Sequence, residues 1–184
     1  MNDMNNMNSV NKANNCHTQS TNEKSCKQGC PASGEDINTK SCTATVLNEL
    51  YKNVDMSKES LLDVLPKIKN AEFSEEITSQ LEEYSRFEKT LLVLIKAECA
   101  EPKPQGVVSK MSAKIGIEMK TMMDPADERI AKMVIEGTTM GITDTIRLVR
   151  DYENSNCSEQ ALTLARELVS FQEKCVEKTK NFLG

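Results

Sequence analysis

Residues 161–182 place small or apolar side chains at alternating steps of four and three: Ala161, Ala165, Leu168, Gln172, Cys175, Thr179 and Phe182. Kept up for three heptads, that spacing lines all seven along one seam of an α-helix. It is the geometry by which helices pack side by side in bundles. Gln172 is the polar member of the seam, and a hydrogen bond from it would fix the register of the packing.

Similar stripes recur upstream. A first helix starts near Thr43 and carries Leu47, Leu50, Val54, Leu61, Leu65 and Ile68. Pro66 threatens its last turn, because the ring clashes with the Leu62 carbonyl, so a kink or an end is expected there. Ser74, followed by Glu75 and Glu76, is the expected N-cap of a second helix. Its stripe is Phe73, Ile77, Tyr84, Phe87, Leu91 and Leu94, and it runs to about Cys99. Glu101-Pro102-Lys103-Pro104-Gln105-Gly106 forbids helix and serves as a linker. A short helix follows over 109–123, with Met111, Ile115, Met119 and Met122 along its apolar edge. Asp124 as N-cap, Pro125 at the first helical position and Asp127 and Glu128 in the first turn open the next long helix. That helix reaches about Tyr152 with Ala131, Ile135, Ile142, Ile146 and Val149 inward. Asn154-Ser155-Asn156 turns the chain, and Ser158 caps the last helix.

The expected fold is therefore all-α. Four long helices run up, down, up and down, with a short crossover helix between the second and third. This is the ferritin-like form of a four-helix bundle. Composition agrees: hydrophobic residues make up 38%, aromatics 4%, Trp is absent, and Gly and Pro number 7 and 5. Sheets usually call for more β-branched, aromatic and turn residues.

Residues 1–41 are expected to form a disordered tail, with 42–184 as the bundle domain. Asn occurs nine times in the tail, and Val10 and Ile37 are its only aliphatic residues beyond Met and Ala. Such a segment buries too little apolar surface to offset an ordering cost of about 1–2 kcal/mol per residue. The net charge is -5, which makes nucleic acid a poor electrostatic match. The longest apolar run, 91–95, is far short of a membrane span of roughly 20 residues. Residues 1–10 lack the basic-then-apolar order of a signal peptide. A cytoplasmic location is expected, and with it mostly reduced thiols among the seven cysteines.

Leu47-Asn48-Glu49-Leu50, Glu101-Pro102 and Glu136-Gly137 together resemble an uncharacterised bacterial family of ferritin-like bundles. They are similar to that family's first-helix start, its Glu-Pro loop and its Glu-Arg-Gly segment, here without the Arg. The likeness covers roughly residues 44–183 and leaves the tail outside. The family's His-Arg-Gly-Trp run is missing from the crossover. The resemblance implies the fold and no particular activity.

Ferritin-type di-iron centres take a Glu from each of two helices and a Glu-x-x-His from each of the others. The single histidine here is His17, in the tail, and no Glu-x-x-His occurs. A carboxylate-only iron site would draw on Glu49, Glu88 and Glu136, each beside an apolar stripe. The plainer account puts all three at helix boundaries with their heads in water. Cys16, Cys26, Cys30 and Cys42, with His17, follow the pattern C-H-x8-C-x3-C-x11-C. Zinc takes four such ligands tetrahedrally, but only Cys26 and Cys30 have knuckle spacing. Thiol redox chemistry and plain free thiols are the other readings. Gly137-x-x-x-Gly141 allows another helix to approach closely or makes room for a large side chain. Met111, Met119, Met122, Met123, Met133 and Met140 form an adaptable apolar group, read first as core filling and second as an oligomer or partner face.

No nucleophile–base pair or phosphate-binding loop is visible. The leading expectation is a non-enzymatic bundle acting by self-association or by binding a protein partner, without nucleic acid or membrane and without a required cofactor. The alternative is a metal-handling protein that takes iron or zinc through bundle carboxylates or tail thiols.

Overall fold

The computed structural model describes residues 41–103 and 126–184. Backbone contacts divide the chain into Met1–Gly34 and Glu35–Gly184, and every described residue belongs to the second unit. Residues 1–40 of the tail with His17, the short helix expected over 109–123, its methionines and the Asp124-Pro125 start all lie outside the described residues. What is described is entirely helical: α1 (Cys42–Val64), α2 (Ala71–Ala97), α3 (Asp127–Tyr152) and α4 (Glu159–Thr179), with short 3-10 turns at Leu65–Lys67 and Lys180–Phe182. None of these helices is long and apolar enough to cross a membrane.

Pro66 acts as expected. The α-helix stops at Val64 and Leu65–Lys67 tightens into a 3-10 turn, where proline's missing N–H and fixed φ are tolerated. The start of α2 is a correction. Asn70, not Ser74, is the N-cap, and its side chain accepts a hydrogen bond from the Phe73 amide at 3.0 Å. Ser74 falls inside the first turn. At the other end of α2, Cys99 takes a positive φ of 51°. Its amide donates to the Lys96 carbonyl, and the Ala100 amide reaches back to Ile95, both at 3.1 Å. This paired closure usually recruits glycine. Cys99 is also disulfide-bonded.

Contacts at the helix ends set the directions. Ser41 donates to Glu98 at 3.0 Å, and the Lys103 amide donates to Asn48 Oδ1 at 2.7 Å. The end of α2 therefore lies against the start of α1. Asp127 accepts from the amides of Lys69 and Asn70 at 2.9 and 2.7 Å, so α3 begins beside the α1–α2 turn. Helix α3 follows Ala126, whose extended backbone makes it the flanking residue. Lys178 pairs with Glu76 at 3.2 Å, which sets the end of α4 against the start of α2. Helices α1 and α4 are thus each antiparallel to both α2 and α3. The four run up, down, down and up, a correction of the expected up, down, up and down: α3 starts at the end of the bundle where α2 starts, so those two run parallel.

The core is aliphatic with a few rings. Leu47, Leu50, Val54, Phe73, Ile77, Leu91, Ile95, Ile130 and Leu168 are fully buried. Phe73 stacks on Phe182 with centroids 4.6 Å apart, and Phe171 meets Tyr84 edge-on at 4.9 Å. The stripe read for α4 is buried from Ala161 through Thr179. The face read for α3 is rotated. Ile130, Ala131, Met133, Val134, Gly141 and Thr145 point inward, while Ile135, Ile142, Ile146 and Val149 are half-buried. The reason lies across the interface: α3 meets a polar residue of α1, and small or hydrogen-bonding side chains fit there better than isoleucines.

Candidate functional site

That polar residue is Asn53. It lies between Leu50 and Val54 on the buried face of α1, and its amide nitrogen donates to the Gly141 carbonyl and to Thr145 Oγ1, each at 2.9 Å. Its carbonyl oxygen accepts from Gln172 Nε2 at 2.9 Å and from Ser57 Oγ at 3.4 Å. Gln172 Nε2 also donates to the Tyr84 hydroxyl at 3.2 Å. One connected network thus draws on α1, α2, α3 and α4, close to the middle of each. Asn53, Tyr84, Thr145 and Gln172 are all buried.

Gly141 makes this possible. A Cβ built there would sit 3.0 Å from Asn53 Oδ1, 3.1 Å from Asn53 Nδ2 and 3.1 Å from Gln172 Nε2. Gly137, by contrast, has open space around it, so only the second glycine of the pair serves close approach. Gly141→Ala is expected to destabilise the fold by about 1–3 kcal/mol, because both amides must shift and break their geometry. Gly137→Ala is expected to be neutral or slightly stabilising through helix propensity. Equal denaturant midpoints for the two variants would refute the close-packing role.

Every group in the network is uncharged. Burial pushes the Tyr84 hydroxyl up to about 12, with the hydrogen bonds from Ser57 and Gln172 working the other way. It holds its proton at neutral pH and cannot serve as a base there. A second polar layer follows toward the far end. Gln80 Nε2 donates to Glu76 Oε1 at 3.0 Å and Thr179 Oγ1 at 3.3 Å, and Thr179 donates to the Cys175 carbonyl at 2.7 Å. The Cys175 thiol is also pushed up to about 12, chiefly by burial and then by Glu76. Among the described residues, Gln80 Oε1 and Gln172 Oε1 are buried acceptors without a hydrogen-bond partner.

These two shifts give a pH dependence. Both groups bind a proton more tightly folded than unfolded, where their values are 10.0 and 9.0. The stabilisation is complete below those unfolded values and is lost as pH rises toward 12. Urea midpoints should therefore fall steeply above about pH 9, and Tyr84→Phe should flatten the steeper part of the fall between about 10 and 12. An unchanged slope in that variant would remove Tyr84 from the account.

Outside the network, a cleft of about 270 Å³ opens between α1 and α3. Asn53, Gly141 and Thr145 form part of its lining, with Glu49, Asp144 and Asp151 around them and Lys52 and Arg147 among the acids. The carboxylates singled out from sequence do not meet in it. Glu49 is exposed and pairs with Lys52 at 2.6 Å. Glu88 is half-buried and paired with Lys58. Glu136 is exposed on α3. Among the described residues no group of three His, Cys, Asp or Glu is arranged to hold a metal ion. Cys16, Cys26 and Cys30 lie outside the described residues. Cys42 is a free, half-buried thiol whose sulfur bonds to the Asn156 carbonyl at 3.0 Å.

Asn53, Tyr84 and Thr145 are the network members that pattern reading missed as polar partners. Gln172 in an otherwise apolar seam and a glycine inside a long helix were the signals that pointed here. No family model, curated protein or solved structure matches the chain.

Proposed function

We propose that the chain is a non-enzymatic, ferritin-like helical bundle that works by binding protein, a second copy of itself first. The observation that carries this reading is the neutral centre. Di-iron bundles fill the middle of four helices with carboxylates and imidazoles. Here the same region is filled by Asn53, Tyr84, Thr145 and Gln172 in one hydrogen-bonded network. Its chemistry suits holding four helices in register, which leaves the work to the surface. The end contacts support the ferritin-like path. Lys103 is at the end of the bundle where α1 begins, and Asp127 is at the opposite end. In that arrangement residues 104–125 would be the crossover.

The large apolar side chains that face water in the described part are Leu62, Leu92, Val93 and Leu183, with Val93 68% and Leu62 56% exposed. Leu92 and Val93 adjoin on α2 and supply the first contact tested. Sedimentation velocity of the full chain should reveal a concentration-dependent dimer or larger assembly, and Val93→Glu should shift it toward monomer. Added ferrous iron or zinc should leave the melting temperature unchanged, since a ligand that binds only the folded state must raise it. A monomer at all concentrations, with a rise on ferrous iron that disappears in Glu136→Ala, would overturn this reading in favour of metal handling.

A further inference from the structure

At one end of the bundle, the start of α1 runs alongside the turn that joins α3 to α4. Cys42, the first residue of α1, bonds through its sulfur to the Asn156 carbonyl at 3.0 Å. One residue on, Thr43 Oγ1 donates to Cys157 Sγ at 3.8 Å and accepts from the Ser158 amide at 2.9 Å. These contacts set the Cys42 thiol on the residue preceding Cys157 and the Cys157 sulfur on the residue following Cys42, which brings the two cysteines to one spot. Both are free and half-buried, so a small reagent in solution can reach them. Cys175 is also free, but it is buried on α4.

We propose that Cys42 and Cys157 are a redox-modification site that closes to a reversible disulfide by exchange with low-molecular-weight disulfides, tying the start of α1 to the α3–α4 turn. Exchange proceeds in two displacements. The thiolate of one cysteine attacks the small disulfide RSSR, forms a protein–S–SR mixed disulfide and expels RS⁻. The thiolate of the second cysteine then attacks the protein sulfur of that mixed disulfide, forms the Cys42–Cys157 bond and expels a second RS⁻. The two protons lost by the cysteines end on the two RSH products. The protein dithiol is oxidised by two electrons and RSSR is reduced by two. Burial holds the Cys157 thiol above its ordinary value, which slows its attack at neutral pH. The product links two points far apart in sequence, at an end where α1 has no side-chain cap and no acidic residue in its first turn. The Ser158 amide on Thr43 Oγ1 and the Cys42 thiol on the Asn156 carbonyl hold the two flanks against each other, which closure of the bond requires.

The test incubates the full chain at graded ratios of oxidised to reduced glutathione, alkylates the remaining thiols and maps the cysteines by peptide mass analysis. A peptide linked through Cys42 and Cys157 should accumulate under oxidising ratios and disappear on return to reducing ones. Oxidation should raise the melting temperature by on the order of 10 °C, as closing a long loop does, and Cys42→Ser and Cys157→Ser should each abolish the rise. Mapping uses the natural chain and so does not depend on either variant folding. The proposal is overturned if both cysteines stay open to alkylation, if each retains glutathione as a mixed disulfide, or if Cys42 is found linked to a different cysteine.

Discussion

Leu168→Ala is expected to cost about 2–5 kcal/mol of stability, through lost burial and the cavity left behind. Leu168 is 1% exposed, in the middle of α4 and inside the main core cluster. It lies one helical turn before Gln172, so a cavity there also loosens the wall beside the polar network. Natural domains are stable by only about 5–15 kcal/mol, and a loss of this size shifts the urea midpoint by an easily measured amount. A change within about 0.5 kcal/mol, the ordinary surface range, would mean that Leu168 does not face the core in solution.

Asn53→Ala is the second large effect, on the order of 2–4 kcal/mol. The substitution strands several partners at once. Gln172 Nε2 loses its better acceptor, Thr145 Oγ1 loses a donor, and space opens beside Gly141. Gln172→Ala should cost a similar amount because it leaves Asn53 Oδ1 with only the longer bond from Ser57 and takes a donor from the Tyr84 hydroxyl. The double variant should be less destabilised than the sum, by about 0.5–3 kcal/mol, since each single change already breaks the one hydrogen bond that the two amides share. Additivity within about 0.3–0.5 kcal/mol would show that the two amides are not coupled and that the network is incidental to the fold. The cycle separates this from simple core filling, for which Leu168→Ala is the reference.

Helix α4 was legible almost residue by residue, because a seam repeated for three heptads leaves one face to bury. The stop at Pro66 was equally legible, because its cause is local to the ring and the Leu62 carbonyl. The start of α2 was not. Asn70 and Ser74 are both good caps by residue type, and Asn70 is used where Asp127 of α3 holds the preceding amides in place. On α3, hydropathy selected Ile135, Ile142 and Ile146, whereas Gly141 and Thr145 face inward because Asn53 awaits them from α1. The candidate carboxylates were the least legible part. Adjacency to an apolar stripe does not tell whether a long side chain turns inward or reaches a lysine, and Glu49 and Glu88 reach Lys52 and Lys58.

By itself the sequence determined that the bundle is helical, where its long helices run, and that the last of them carries a continuous buried seam. Those properties follow from periodicity and from backbone chemistry within a few residues, which a single chain segment carries alone. Tertiary structure alone decided that Asn53, Tyr84, Thr145 and Gln172 meet, that Gly141 and not Gly137 is the close approach, and that Cys42 lies against the turn that carries Cys157. Each of those depends on the rotation and axial shift of one helix against another. A turn of one residue about the helix axis, roughly 100°, moves a side chain from the core to the surface while leaving the local pattern unchanged.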